Sequence, residues 1–209
     1  MNQVSTSGRK KLTVRGQRTR HELLEAAELV FGERGFEHAS VAEITRRAGV
    51  ALGTFYVYFP HKQAIFIELV DELGSRLRET LRKAVEGKET RLEKERAGFR
   101  AFFEFAGKHR NLYRIVRQAE FVDEAVYLRY YRQLATSYSR GLTHAMTRND
   151  IGTYDAEVLA YALMGIADFI GMRFVVWDDP RELDRVTDEV LHFVQHGLLS
   201  AARRGGAKP

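Results

Sequence analysis

Apolar positions recur along this chain at spacings of three and four residues from about residue 19 to about residue 203, and no stretch shows a strand pattern. The first helix is predicted from about Thr19 to Gly32, with Leu24, Ala27 and Phe31 on one face, and it ends at Gly32 or Gly35. Ser40 followed three residues later by Glu43 is a capping box that starts a short helix at Val41. Val41, Ile44 and Ala48 share its inner face, and Gly49 supplies the left-handed residue of a tight turn. A second short helix runs from Leu52 to Phe59 with Phe55 and Phe59 inward, and Pro60 stops it. Ile65, Leu69, Leu73, Leu77, Leu81 and Val85 then mark one long amphipathic helix up to Gly87. Further helical patterns cover Thr90 to Gly107, His109 to Gln118, Asp123 to Thr147, Tyr154 to Asp178 and Arg181 to Arg203. The expected fold is all-α, with about nine helices.

Composition adds three constraints. With no cysteine among 209 residues, the chain has no disulfide framework, thiolate zinc site or cysteine nucleophile. No uninterrupted apolar run reaches the roughly 18 residues of a membrane span, and residues 1–16 lack the apolar stretch of a signal peptide, so a cytoplasmic protein with no membrane partner is expected. The net charge of +5 is modest, but Arg9, Lys10, Lys11, Arg15, Arg18 and Arg20 gather just ahead of or within the start of the first helix. Such an arm either solubilises the chain or reaches a phosphate backbone or minor groove.

Two short helices joined by a glycine turn form either an ordinary helical hairpin or a helix-turn-helix whose second helix fits the major groove. Gly53 and Thr54 would let that helix come close to DNA, while the hydroxyls of Tyr56 and Tyr58 and the Lys62 ammonium would reach phosphates. The candidate DNA-binding residues are Ser40, Val41, Arg46, Gly53, Thr54, Tyr56, Tyr58, His61 and Lys62. The run Ala48-Gly49-Val50, then Gly53-Thr54-Phe55-Tyr56-Val57-Tyr58-Phe59, then Lys62 resembles the DNA-binding signature of the TetR family of bacterial transcriptional regulators. The resemblance is strong from about Arg18 to Leu73 and weak beyond. It implies a three-helix DNA-binding domain over 17–64, preceded by a flexible basic arm over 1–16. It further implies a helical effector-binding and dimerisation domain over 65–203, a flexible tail over 204–209, and a homodimer that a small molecule releases from a palindromic double-stranded operator. Ala51 and Leu52 depart from the polar residues frequent there, which makes Leu52 a candidate for contact with a thymine methyl.

In the second domain, rings gather at Phe99, Phe102, Phe103 and Phe105, and Tyr127, Tyr131, Leu134 and Tyr138 form a stripe at spacings of four, three and four. Several inward phenols each need a hydrogen-bonding partner, so the group favours a cavity for a hydrophobic or aromatic effector over a plain aromatic core. Candidate effector contacts are Phe99, Phe102, Phe103, Tyr113, Tyr127, Tyr131, Leu134, Tyr138, Asp168 and Met172, with Phe169 and Met172 as the floor. Arg110, Arg114, Arg117, Arg129, Arg132 and Arg140 either are solvated helix faces or suit an anionic effector such as a fatty or aromatic acid or its coenzyme A thioester. The last two helices carry a seam of Val158, Ala162, Gly165, Ile166, Phe169, Phe174, Val190, Phe193, Val194 and Gly197, which the resemblance makes the dimer interface.

An enzyme is disfavoured. His192 and His196 have the spacing of a metal pair, but Phe-Val-Gln between them lacks the carboxylate of a metalloprotease motif. No nucleophile elbow or phosphate-cradling glycine loop occurs, so no catalytic residue, metal or cofactor is expected. The rival reading is a helical interaction or membrane-surface protein without sequence-specific DNA binding.

Overall fold

The computed structural model describes residues 12–177 and 183–204, with side chains as far as residue 197. Its helices are α1 (Val14–His38), α2 (Val41–Ala48), α3 (Leu52–Tyr58), α4 (Lys62–Val85), α5 (Arg91–Lys108), α6 (Asn111–Val122), α7 (Glu124–Thr147), α8 (Ala156–Gly171) and α9 (Leu183–Arg204). A π-helical turn, Met172–Trp177, prolongs α8. Of the expected basic arm, Arg9, Lys10 and Lys11 lie outside the described residues, as do 205–209 of the expected tail.

Local chemistry sets the helix ends. The Thr13 hydroxyl accepts from the Gly16 N–H and starts α1 at Val14, inside the segment expected to be a flexible arm. At Gly35 a φ of 77° breaks the helical line, and Phe36 to His38 form a separate last turn. Ser40 caps α2 through the Glu43 N–H, but the Glu43 carboxylate lies 3.5 Å from Arg34, so only the serine half of the expected capping box is seen. Gly49, at φ 69°, makes the left-handed turn into α3, whose first turn has no side-chain cap. A complete capping box opens α5 at Thr90 and Glu93.

Two apolar cores hold the helices. The first packs Leu23, Phe31, Ile44, Phe55 and Phe59 on Ile65, Phe66 and Leu69 of α4, and continues to Leu112 and Ile115 of α6. The second gathers Phe103, Leu142, Leu163, Val175, Val190 and Val194 from α5, α7, α8, the π-turn and α9. The first core therefore runs across the boundary expected at residue 64. Helix α6 bears on α1 as well as on α4 and α7, which places it between the helix-turn-helix and the distal bundle.

Candidate functional site

The outward face of α3 carries Leu52, Gly53, Tyr56 and Val57, all exposed, while Phe55 is fully buried. Of the expected DNA-binding residues, Ser40, Arg46, Gly53, Tyr56 and His61 are exposed; Val41, Thr54, Tyr58 and Lys62 are half-buried. Besides Ser40, which caps α2, two have tasks within the fold. His61 caps α4, its Nδ1 accepting from the Ala64 N–H at 3.1 Å.

The Lys62 ammonium donates to the carbonyls of Phe36 (2.7 Å), Glu37 (3.2 Å) and Ala39 (3.0 Å) and sits 4.5 Å from the Phe36 ring centroid. An ammonium has three N–H donors, and all three are used closing the end of α1. Lys62 is thus a clasp that seats α4 on the helix-turn-helix, a task inside the fold that differs from its expected one as a phosphate contact. Arg47 is likewise spent on a two-pronged pair with Glu33 of α1, at 2.7 and 2.9 Å.

In the distal bundle a cavity of about 720 Å³ opens where the two cores meet. Its apolar walls are Leu77, Leu81 and Val85 of α4, Phe99 and Phe102 of α5, Leu112 and Val116 of α6, Leu134 of α7, and Leu163, Met164 and Ala167 of α8. The phenols of Tyr113, Tyr130, Tyr131 and Tyr138 also line it, with Asp168 and Arg117 among the polar groups. Burial pushes all four phenols well above the ordinary tyrosine range, so they remain neutral hydrogen-bonding groups. Burial also raises the Asp168 carboxyl above its ordinary value, against the pull of Arg117. On the same wall, Tyr138 donates to Glu95, which pairs with Arg91, and both acid and guanidinium are buried.

Seven of the ten expected effector contacts line this cavity: Phe99, Phe102, Tyr113, Tyr131, Leu134, Tyr138 and Asp168. Three face elsewhere. Phe103 is fully buried in the second core, Tyr127 packs edge-on against Tyr131 at 5.0 Å, and Met172 is buried, with its sulfur accepting from Arg117 at 2.8 Å. Nor does Phe169 form a floor, since it is 68% exposed on the outside of α8. The α4 wall went unforeseen because apolar residues at helical spacing read the same whether they meet a core or a cavity.

A second, shallower cleft of about 410 Å³ shares Arg78 and Ser137 with the first and is otherwise lined by Ala125, Arg129, Arg132, Gln133, Thr136 and Arg140. It brings together three of the expected arginines, and α7 alone supplies Arg129, Arg132 and Arg140 on one face. Arg129 is paired with Asp71 at 2.7 Å. Arg114 is used elsewhere, donating to the Gly32 carbonyl at 2.6 Å.

Helix α6 joins the cavity to the helix-turn-helix. Leu112, Tyr113, Val116 and Arg117 border the cavity, while Arg114 holds the Gly32 carbonyl and the Gln118 amide oxygen accepts from the Phe36 N–H. Gly32 permits the approach, because a Cβ there would lie 2.0 Å from Asn111 Cγ. At the start of α6, His109 bridges Glu28 of α1 (3.1 Å) and Arg76 of α4 (3.3 Å).

On the outside of α8 and α9, Val158, Tyr161, Ala162, Gly165, Phe169, Phe193 and Gly197 are exposed, and added Cβ atoms at Gly165 and Gly197 would meet nothing within 4 Å. Of the expected seam, Val190 and Val194 instead face inward as buried core, and Ile166 and Phe174 pack partly against that core. Residues 156–177 are long and apolar enough to cross a membrane by composition. In this fold their inner face packs on α5 and α7, and the outer stripe accounts for the remaining apolar character.

Residues 23–69 match the model of the family described as bacterial regulatory proteins, tetR family. The helix-turn-helix region of this chain is therefore of the TetR type. An uncharacterised HTH-type transcriptional regulator of Bacillus subtilis, YdgC, is 45% identical over 64 residues, 31% of this chain and 33% of that protein. Over longer spans, the HTH-type transcriptional activator FasR of Mycolicibacterium smegmatis is 26% identical across 86% of this chain and 82% of its own. The fatty acid metabolism regulator protein of Bacillus subtilis is also 26% identical, across 85% of this chain and 94% of its own. Among solved structures, a TetR-like transcriptional regulator from Rhodococcus sp. RHA1 is 26% identical, with a TM-score of 0.69 over 86% of this chain and 94% of that one. FadR from Bacillus subtilis, solved with stearoyl-CoA, shares the fold at a TM-score of 0.75 and 23% identity, over 83% of this chain and 96% of that one. Over its full length the chain is thus similar to TetR-like helix-turn-helix transcriptional regulators.

Proposed function

We propose that the protein is a homodimeric repressor that leaves a palindromic operator when a long-chain acyl-coenzyme A occupies the distal cavity. The observation that carries this reading is the pairing of the two clefts: a deep apolar cavity opens beside an arginine cleft and shares Arg78 and Ser137 with it. A volume of about 720 Å³ lies within the usual range of small-molecule pockets, and the aromatic and aliphatic walls suit a chain. Each buried methylene contributes about 0.8 kcal/mol, so a dozen give roughly 10 kcal/mol gross, enough for tight binding after the costs of immobilisation. The arginines suit the phosphates of the head group, because the guanidinium fork matches phosphate oxygens. A fold shared with a regulator solved with stearoyl-CoA, and the fatty acid regulator of Bacillus subtilis at 26% identity, support the same ligand class.

The switch would run through α6. A ligand that prefers one position of Leu112, Tyr113 and Val116 prefers one seating of α1, through the bonds of Arg114 and Gln118. Two copies joined along the exposed α8 and α9 stripe would turn that movement into a change in the spacing of two α3 helices. The same coupling would serve an activator if the liganded spacing were the DNA-binding one, the sign that FasR's name carries.

Calorimetric titration of the full-length protein with stearoyl-CoA, stearate and free coenzyme A tests the ligand class. Stearoyl-CoA should bind tightest, with both chain and head needed. Equal binding of stearoyl-CoA and free coenzyme A would remove the cavity from the account. Sedimentation of wild-type protein and Phe193→Asp tests the assembly, with a dimer and a monomer expected.

A further inference from the structure

We infer that the α3 face reads its operator through thymine methyl groups, with Leu52 and Val57 as the reading side chains. This rests on the DNA-binding reading above and names the chemistry by which bases are told apart. Successive helical residues are turned by about 100°, so Leu52, Tyr56, Gly53 and Val57 fall within roughly 140° of arc, whose centre lies about 130° from the buried Phe55. Leu52 is 50% exposed, Tyr56 56% and Val57 74%.

The side chains that single out one base by hydrogen bonds are arginine or lysine on guanine, asparagine or glutamine on adenine, and carboxylates on cytosine, whereas serine and threonine bond without that preference. None of the first group occurs between Leu52 and Phe59, and Thr54 there is half-buried. The nearby cations Lys62 and Arg47 are committed to α1 carbonyls and to Glu33. The face therefore offers two aliphatic side chains, one phenol and a bare glycine. In the major groove, the apolar feature that differs between base pairs is the C5-methyl of thymine. Gly53, where an added Cβ would meet nothing within 4 Å, leaves room for the backbone to come close enough for such contacts. Nucleic acid is the occupant that the surroundings favour. A Cβ on Gly16 would lie 3.4 Å from the Tyr58 hydroxyl, so the start of α1, with exposed Arg15, adjoins α3, and exposed Arg46 stands at the end of α2. Cations flanking an apolar face suit phosphates flanking a groove.

The experiment begins with a random-sequence duplex library selected on the full-length protein, and then replaces each thymine of the enriched half-site by deoxyuridine, which removes only the methyl. One or two positions should lose about threefold to fivefold in affinity, the scale of one buried methyl. Leu52→Ala or Val57→Ala should abolish that uracil penalty at its own position while leaving thermal unfolding unchanged, since both side chains are exposed. That pairwise loss is a readout which general weakening cannot mimic. An enriched sequence bound equally well with uracil throughout overturns the inference and leaves the DNA-binding reading standing. Failure to enrich any sequence overturns both.

Discussion

The two halves of α4 have the same apolar periodicity and opposite surroundings. Ile65, Phe66 and Leu69 are buried in a core closed by α1, α3 and α6, whereas Leu81 and Val85, three to four turns later, border an open cavity. Around the first half, side chains spend their hydrogen bonds on the backbone and on one another, as in the Lys62 clasp and the Arg47–Glu33 pair. Around the second half, phenols and the Asp168 carboxyl line a cavity wall, with Tyr138 donating to Glu95 and Tyr113 to the Asp168 carbonyl. A helix closed at one end and open at the other can hold the DNA reader rigid while the bundle responds to a ligand.

The sharpest break in that contrast is a truncation at each end. Phe55→Ala removes a fully buried ring and should cost about 3–5 kcal/mol in urea unfolding, taking DNA binding with it. Leu81→Ala, on the cavity wall, should cost much less, because it enlarges a space that is already open, and should show its effect in ligand affinity instead.

Next in size is Lys62→Ala. It leaves three carbonyls at the end of α1 without their cation and should lower stability by about 1–3 kcal/mol. The salt dependence of DNA binding separates the clasp from a phosphate contact. The clasp leaves the slope of log affinity against log salt unchanged, and a phosphate contact makes it shallower by about 0.9.

A smaller effect is expected where the two regions meet. Arg114→Ala combined with Gln118→Ala should leave ligand and operator affinities close to wild type when each is measured alone. The double variant should weaken the coupling between them by about 0.5–2 kcal/mol, read as a loss of ligand-induced release in a gel-shift titration.

The smallest concerns the polar wall. With its folded-state value raised, Asp168 binds its proton more tightly in the folded protein than in the unfolded chain. Its penalty is absent below the unfolded value, grows as pH rises through the folded one, and is full above it. Asp168→Asn should therefore raise the urea midpoint at neutral pH, and the gain should shrink as the buffer approaches pH 4.

The contrast also explains what could be read from sequence. The helix-turn-helix is encoded locally: Ser40 caps, Gly49 turns, and Phe55 and Phe59 face inward, all within a few residues of the structure they specify. The Lys62 clasp escaped because its acceptors lie 23 to 26 residues away and nothing near Lys62 announces them. In the bundle, the aromatic stripe announced a cavity, but not which rings face it. Tyr127 and Tyr131 share a stripe, and only Tyr131 lines the space. Val190 and Val194 were drawn to the outer seam because an apolar position does not declare its partner.

The central claim is that one coupling free energy links cavity and operator. Its most direct test is to titrate the full-length protein with stearoyl-CoA, alone and saturated with the selected operator duplex, and then to repeat the operator titration with and without saturating stearoyl-CoA. Linkage requires the two factors to be equal, and a hundredfold effect corresponds to about 2.7 kcal/mol. The account predicts that operator weakens stearoyl-CoA binding by the same factor as stearoyl-CoA weakens operator binding. Identical stearoyl-CoA affinity in the two titrations would contradict it, leaving a DNA-binding protein whose cavity has no hold on its reader.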